Sequence, residues 1–502
     1  MTQRLSDISE AVRWLHEWGR GALCSDHRRL GRGDVLFAWP GARHDARQYV
    51  APALEAGAAA ALVEWDGCEA FRWDDDRVAG LQDLRRQSGP LADAYYEHPS
   101  AKLAVLAVTG TNGKTSTAWW LAHALSNLKH PAPIATGFAG TLGVGPVHQL
   151  QSSGLTTPDA TLLHHMLRRF ADTGLQACAL EASSIGIEEG RLDGCRVRVA
   201  MFSNLTQDHL DYHQTMHAYG EAKAQLFAWP GLESAVLNID DPFGAELAKR
   251  CVAQGVPDIW TVSCQQAARL HAQDVQQHAQ GLRFLVCEGE QRLPVTTNLI
   301  GRYNVSNLLL VLAGMRALGV PLQYAVEACH ALQPVPGRME IVMGGDSDPM
   351  AVVDYAHTPD ALRKALEALR EVSRARGGAL WCVFGCGGDR DRSKRPQMGA
   401  LAAQLADHVV LTSDNPRSED PCAILADIQQ GVPNGVVTRQ EVDRRLAITE
   451  ALQTADARDV VLIAGKGHED YQEALGQRMP FLDTAVARQV LEKRRGVGVV
   501  HA

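Results

Sequence analysis

With 502 residues, 46% hydrophobic and 21% charged, the chain is too long for one core and has the composition of two or three globular domains. Its formal net charge is −9 and its basic residues are scattered, which argues against a nucleic-acid partner, and no run of about eighteen apolar residues could span a bilayer. The charged start "MTQRLSDISEAVRWLHEWGR" lacks a signal-peptide core and predicts a cytoplasmic protein; eleven cysteines without framework spacing predict reduced, mostly buried thiols rather than a zinc site at Cys382 and Cys386.

Up to residue 98 short apolar runs, "DVLFAW" and "AAALVEW", alternate with alanine-rich helical pattern, predicting a small α/β domain that ends in the linker "YYEHPSAK". From "LAVLAVTG" at 103–110 the pattern becomes apolar strand, glycine turn and helix, and it recurs at "ACALEAS", "VRVAMFSN" and "SAVLNID". Continuous apolar strands separated by helices predict a parallel sheet covered on both faces. A third block starts after "QPVPGRME" at 333–340, where prolines and a glycine break the helix "NVSNLLLVLAGMRAL"; its strands are "MAVVDYAH", "ALWCVFGCGG", "HVVLTSD" and "DVVLIAGKG". The expected architecture is α/β with three domains, 1–98, 99–334 and 335–502.

In "VTGTNGKTST" at 108–117, Thr109, Gly110, Thr111, Asn112, Gly113, Lys114, Thr115 and Ser116 lie between a strand and a helix. Backbone N–H groups and the positive helix end suit a polyphosphate, Lys114 adds a point charge, and Thr115 can hold Mg²⁺. The first glycine of the usual phosphate loop is replaced by Val108, so the loop is a shortened variant. Glu181 of "ALEASS" and His209 of "NLTQDHLDYH", flanked by Asp208 and Asp211, follow strands of the same sheet and are candidate metal contacts; His209 alone also suits a structural role.

Four polar loops of the third block, each just after an apolar strand, should converge on one rim. The run Gly385, Gly387, Gly388 has Arg390 where a dinucleotide fingerprint would have its third glycine, which disfavours a redox cofactor. In "TSDNPRSEDP" at 412–421, Pro416 stiffens a turn carrying Asn415 and Arg417, which either reads a small polar ligand or simply joins a strand to a helix.

Taken together and in order, "TGTNGKTST", "NLTQDHLDYH", "AKAQLF", "GRYNVSN", "VPGRME", "DYAHTPDAL", "FGCGGDRDRSKRP", "DNPR" and "AGKGHEDYQ" resemble the Mur ligases, specifically the branch that adds the third residue of the peptidoglycan peptide. The resemblance covers nearly the whole chain and weakens in the first hundred residues. It implies a central ATP-binding domain between a small nucleotide-precursor domain and a Rossmann-like amino-acid domain. The implied activity is ATP- and Mg²⁺-dependent addition of meso-diaminopimelate to UDP-N-acetylmuramoyl-L-alanyl-D-glutamate by a cytoplasmic monomer acting on small molecules.

By resemblance, Lys114, Glu181, His209 and Lys223 are catalytic. Thr115, Glu181, His209 and a carbamylated Lys223 hold Mg²⁺. ATP is bound by residues 109–116 with Asn304, Arg338, Asp354, Tyr355 and His357. Asp26, His27, Arg28, Thr156, Thr157, Ser183, Glu189 and Arg191 match precursor-binding positions, although His27 and Ile185 depart from residues common in the family. Arg390, Asp414, Asn415, Pro416, Arg417, Gly465 and Glu469 match the diaminopimelate pocket. The competing readings are a lysine-adding ligase, a folylpolyglutamate synthetase-like ligase and, from another class, a nucleotide-regulated binding protein.

Overall fold

The run "LAVLAVTG" forms the strand Ala104–Thr109, and its side chains alternate between two cores. Leu106 and Val108 pack with Leu121 and Leu125 of the helix Lys114–Ser126, whereas Val105 and Ala107 pack with Leu163 and Phe170 of the helix Ala160–Asp172. A strand buried on both faces needs apolar residues at every position, which is why the run is continuous. The structure is a computed structural model that describes residues 2–497 apart from 42–43, 279–280, 343 and 346.

Three main sheets organise these residues. The first is parallel, in the order Gln3–Leu5, Val78–Leu81, Ala60–Glu64, Val35–Ala38 and Leu23–Cys24. The ten-stranded central sheet has Ala104–Thr109 between Val199–Phe202 and Ala177–Glu181, all parallel. Its far side carries an antiparallel extension, Leu270–His278, Gly281–Glu288 and Gln291–Thr297, which the strand-turn-helix pattern does not foretell. Leu282, Phe284, Val286 and Val295 of this extension pack against Leu308 and Leu312. The helix Tyr303–Ala317 is apolar all round for that reason: it is buried between layers instead of lying at the surface.

In the third sheet Met350–Asp354, Val460–Ala464, Leu380–Phe384, His408–Leu411 and Thr438–Gln440 run parallel, with Glu340–Val342 antiparallel at one edge. Their carboxyl ends therefore lie on one side and bring the four polar loops together. The helix Pro359–Arg376 opens with Thr358 accepting a hydrogen bond from the Ala361 N–H and with proline in its first turn, and it ends at the left-handed Gly377. Cys382 and Cys386 are free thiols in this domain's core. Among the described residues no helix is long and apolar enough to cross a membrane.

Beneath the loops lies an ion pair with no exposed surface, Arg444 with Asp483. The guanidinium donates to both carboxylate oxygens at 2.8 and 2.7 Å, and also to the carbonyls of Ser413 at 3.2 Å and Ala464 at 3.0 Å. It thus ties two strand ends to the helix behind them. Removing one partner leaves a buried charge uncompensated, so Asp483→Ala is expected to cost about 3–5 kcal/mol. Urea unfolding measures this; a loss below about 1 kcal/mol, the range of an exposed pair, would refute the bracing role.

Candidate active site

Gly110 and Gly113 have φ of +141° and +85°, and a Cβ at either would collide with Ser203 Oγ or Asn307 Oδ1. Only glycine meets both demands, and the turn it permits lifts the chain into the helix starting at Lys114. Gly113 supplies no side-chain cap, so the first helical N–H groups face the loop as an anion cradle. "NLTQDH" braces the loop from behind: Thr111 N–H donates to Asn204 O at 2.7 Å, Asn112 N–H to Asn204 Oδ1 at 3.0 Å, and Ser203 Oγ to Asn112 O at 2.6 Å.

Two lysines meet at one carbonyl. Lys114 Nζ donates to Gly110 O at 2.9 Å and Thr111 O at 2.8 Å, and Lys223 Nζ donates to the same Gly110 O at 2.9 Å. Lys223 is only 1% exposed and its Nζ lies 4.2 Å from the Tyr219 ring centre. Burial, reinforced by the neighbouring Lys114 charge, drives the Lys223 amine well below the usual lysine range. Burial also lowers Lys114, against the opposing pull of Glu181 and Asp208.

Glu181 ends its strand in the same buried space. Its Oε2 accepts from Thr115 Oγ1 at 2.9 Å and Thr141 Oγ1 at 3.2 Å, and its Oε1 accepts from Thr141 N–H at 2.8 Å. A side chain at Gly140 would strike this carboxylate. Burial raises the Glu181 pKa, with Lys114 opposing. Mg²⁺ takes one or two protein oxygens and completes its octahedron with phosphate and water, so the Thr115 hydroxyl and Glu181 carboxylate fit it as a pair. His209 is in a left-handed conformation with Nε2 3.5 Å from Asp208 Oδ2, and partial desolvation, opposed by Asp208, lowers its pKa from the usual histidine range.

Beyond the helix start, Asn112, Gly113, Ser116, Asn304, Arg338 and Asp354 help to line a cavity of about 430 Å³. Arg338 crosses to the phosphate loop, donating to Thr115 Oγ1 at 3.1 Å, and its guanidinium sits 4.4 Å from the Tyr355 ring centre. Asp354 accepts from the Met339 N–H at 2.7 Å.

The four loops of the third sheet frame a second cavity of about 620 Å³ that also reaches Ile185, Asp208 and His209 of the central domain. Tyr355, His357, Arg390, Asp414, Asn415, Arg417, Gly465 and Glu469 line it; Pro416 is buried beside it. Arg417 has φ of +53° and is clamped through its backbone: its N–H donates to Glu473 O at 2.9 Å and its carbonyl accepts from Leu475 at 2.6 Å. Its Nη1 donates to Gly388 O at 2.7 Å, which fixes one side of the fork.

The remaining sequence candidates form separate groups. Thr157 Oγ1 donates to Glu181 O at 2.8 Å and lies 2.9 Å from Ser183 Oγ; Arg191 holds Thr157 O at 2.9 Å and pairs with Glu189 at 2.6 Å. Thr156 joins this network through Thr141 at 3.2 Å. Asp26, His27 and Arg28 lie in the first domain, outside both cavities: Asp26 pairs with Arg28 at 2.8 Å, and His27 stacks on Tyr49 at 3.8 Å.

Sequence reasoning misses Thr141, Asp360, Lys394 and Lys466. Asp360 accepts from Asn112 Nδ2 at 2.8 Å and links the third domain to the phosphate loop. Lys394 Nζ holds His357 O at 2.9 Å. Asp360, Lys394 and Lys466 lie inside quoted motifs, but most of their partners, such as Asn112 and Asn415, are distant in sequence.

The Mur ligase middle domain model matches residues 108–315, and the Mur ligase glutamate ligase domain model matches 337–467. A UDP-N-acetylmuramoyl-L-alanyl-D-glutamate--2,6-diaminopimelate ligase of Acidovorax sp. (strain JS42) is 53% identical over 98% of this chain and 99% of its own length. The chain belongs to the Mur ligase family. The enzyme of the same name from Neisseria meningitidis serogroup A is 42% identical to this Mur ligase over 98% of the chain and 97% of its own length. A solved diaminopimelate ligase of that name matches at TM-score 0.63 and 37% identity, covering 95% of each chain. The MurF ligase of Thermotoga maritima in complex with ADP shares the fold of this Mur ligase at TM-score 0.65 and 17% identity, covering 94% of this chain and 98% of its own.

His357 gives a pH test of this geometry. Its Nδ1 lies 2.9 Å from Tyr355 O, and burial, followed by the Lys394 charge, pushes its pKa from 6.5 down to about 4. Between those values the unfolded chain binds the proton and the fold does not, so stability falls as pH drops from about 6.5 to about 4. His357→Gln is expected to flatten the pH dependence of urea unfolding in that window. An unchanged slope would refute the assignment.

Proposed function

We propose that this Mur ligase uses ATP to join meso-diaminopimelate to UDP-N-acetylmuramoyl-L-alanyl-D-glutamate. The observation that carries the reading is a single cavity joining Asp208 and His209, beside the phosphate loop, to Arg417, Asn415 and Glu469 of the third domain. The near full-length identity to relatives of that named activity supports it. We take 1–98 as the precursor domain, 99–334 as the ATP domain and 335–502 as the amino-acid domain, a division supported by the three sheets. We take the chain to act as a monomer, since its own residues line both cavities, and, with a net charge of −9, without a nucleic-acid partner.

A carboxylate forms an amide only after one of its oxygens becomes a leaving group, and phosphoryl transfer from ATP makes that acyl phosphate. The enzyme's work is then positioning and charge neutralisation. The loop N–H groups and Lys114 hold the phosphates, while Asn304, Arg338 and Asp354 border the nucleotide cavity and Tyr355 and His357 border the amino-acid side. Thr115, Glu181 and His209 would hold Mg²⁺, which neutralises phosphate charge. Thr156, Thr157, Ser183, Glu189 and Arg191 would receive the precursor next to Glu181, with Asp26, His27 and Arg28 further out. The attacking amine comes from the other cavity, where Arg417 forks onto the distal carboxylate and Arg390, Asp414, Gly465 and Glu469 surround the zwitterion.

Lys223 fits a carbamate. Carbon dioxide adds to neutral amines, and burial beside Lys114 favours the neutral form of this one. The adduct would turn an amine that cannot ligate Mg²⁺ into an oxygen ligand. Lys223→Ala is therefore expected to be nearly inactive and partly restored by short carboxylates; rescue by amines instead would sink the carbamate.

Phosphate release that requires ATP, precursor and meso-diaminopimelate together tests the whole reaction. A nucleotide-regulated binding protein would not show that dependence, and equal use of L-lysine would overturn the substrate assignment. Arg417→Ala should raise KM for meso-diaminopimelate by about tenfold or more while leaving those for ATP and precursor nearly unchanged, because lysine and the truncated site each lose one carboxylate pairing.

A further inference from the structure

We propose that Lys466 is a positioning residue that sets which end of an ammonium-carboxylate pair each pocket group reads, an inference that rests on the diaminopimelate reading above. Lys466 follows Gly465 at the end of the strand Val460–Ala464 and its side chain has no exposed surface. Its Nζ donates to Asn415 Oδ1 at 3.0 Å and Glu469 Oε2 at 3.1 Å. The same Glu469 Oε2 accepts from Asn415 Nδ2 at 2.8 Å, so ammonium, amide and carboxylate close a triangle.

The triangle orients both groups that face the cavity. With Lys466 and the Glu473 N–H, at 2.9 Å, both donating to Asn415 Oδ1, the amide oxygen must point inward. A flipped amide would set its NH₂ against an ammonium and an N–H. The native orientation leaves the second Nδ2 hydrogen for a substrate carboxylate. Oε2 of Glu469 is doubly occupied, and among the described residues nothing donates to Oε1, which is left for a substrate ammonium. One acceptor and one donor side by side match an amino acid whose distal carbon bears both an amine and a carboxylate.

Charge works in the same direction. Unpaired, Glu469 would favour any cation, including lysine with its lone distal ammonium; Lys466 beneath it offsets that preference. Without Lys466, the amide oxygen keeps only the Glu473 N–H while Nδ2 still donates to Glu469 Oε2, so the amide is held less firmly, and a flip would turn an acceptor toward the cavity and further favour a lone ammonium.

The test is steady-state phosphate release by the full-length enzyme, with KM for meso-diaminopimelate, ATP and the nucleotide precursor, and with L-lysine as competing acceptor. Lys466→Met is expected to raise KM for meso-diaminopimelate on the order of tenfold, leave the other two constants within about twofold, and lower the preference over L-lysine. Lys466→Arg, which keeps the charge, should recover part of that preference. In a Glu469→Gln background the Lys466→Met effect should largely vanish, because the two act as one unit. A parallel rise of all three constants, or an undiminished effect in that background, overturns the proposal. If Lys466→Met does not fold, Lys466→Gln, which keeps a donor without the charge, carries the same test; if neither folds, the residue is structural and the proposal falls. Wild type that releases no phosphate with meso-diaminopimelate sinks the underlying reading, whereas active wild type with Lys466 variants of unchanged KM sinks this inference alone.

Discussion

Two lysine side-chain amines share one carbonyl oxygen, Gly110 O, and the rest of the site is arranged around that constraint. Like charges so close are tolerable only if one is neutral or if anions surround them. Glu181 and Asp208 provide part of that compensation from the fold, and a polyphosphate on the loop would provide more. Gly110 has a φ of +141°, which favours glycine, and leaves no room for a side chain against Ser203.

Sheet topology explains why a second cavity opens opposite this centre. Parallel strands deliver all their following loops to one side. The central sheet therefore supplies the phosphate loop, Glu181 and His209 together, and the third sheet supplies the loops carrying Tyr355, Arg390, Asn415 and Glu469. The two sets meet through contacts from the third block to the loop, Asp360 to Asn112 and Arg338 to Thr115. Each of these contacts reaches a residue of the glycine-lysine loop or the helix that follows it.

Rigidity in the cavity framed by the third sheet's loops comes from below. Arg444, held by Asp483, donates to the carbonyls at the ends of two strands, and Arg395, also fully buried, pairs with Glu419 and Asp427 behind the glycine loop. Such buried pairs contribute little net stability compared with apolar packing, but they fix direction. A turn that must aim a guanidinium benefits from that more than from extra burial.

The sequence by itself determined the local elements and the chemistry they carry: continuous apolar runs became strands buried on both faces, and glycine with lysine after a strand became the phosphate loop. These are short-range facts, set by φ, side-chain size and periodicity. It also placed Lys223 on a helix, yet on its own could not distinguish that residue from a surface lysine. The Lys223 bond to Gly110, the Lys466 triangle and the Arg444 brace join residues between 3 and 113 positions apart, and the antiparallel extension packs over an apolar helix. Tertiary structure decided these, because burial and ion pairing depend on what the whole chain packs around a group, which no local pattern specifies.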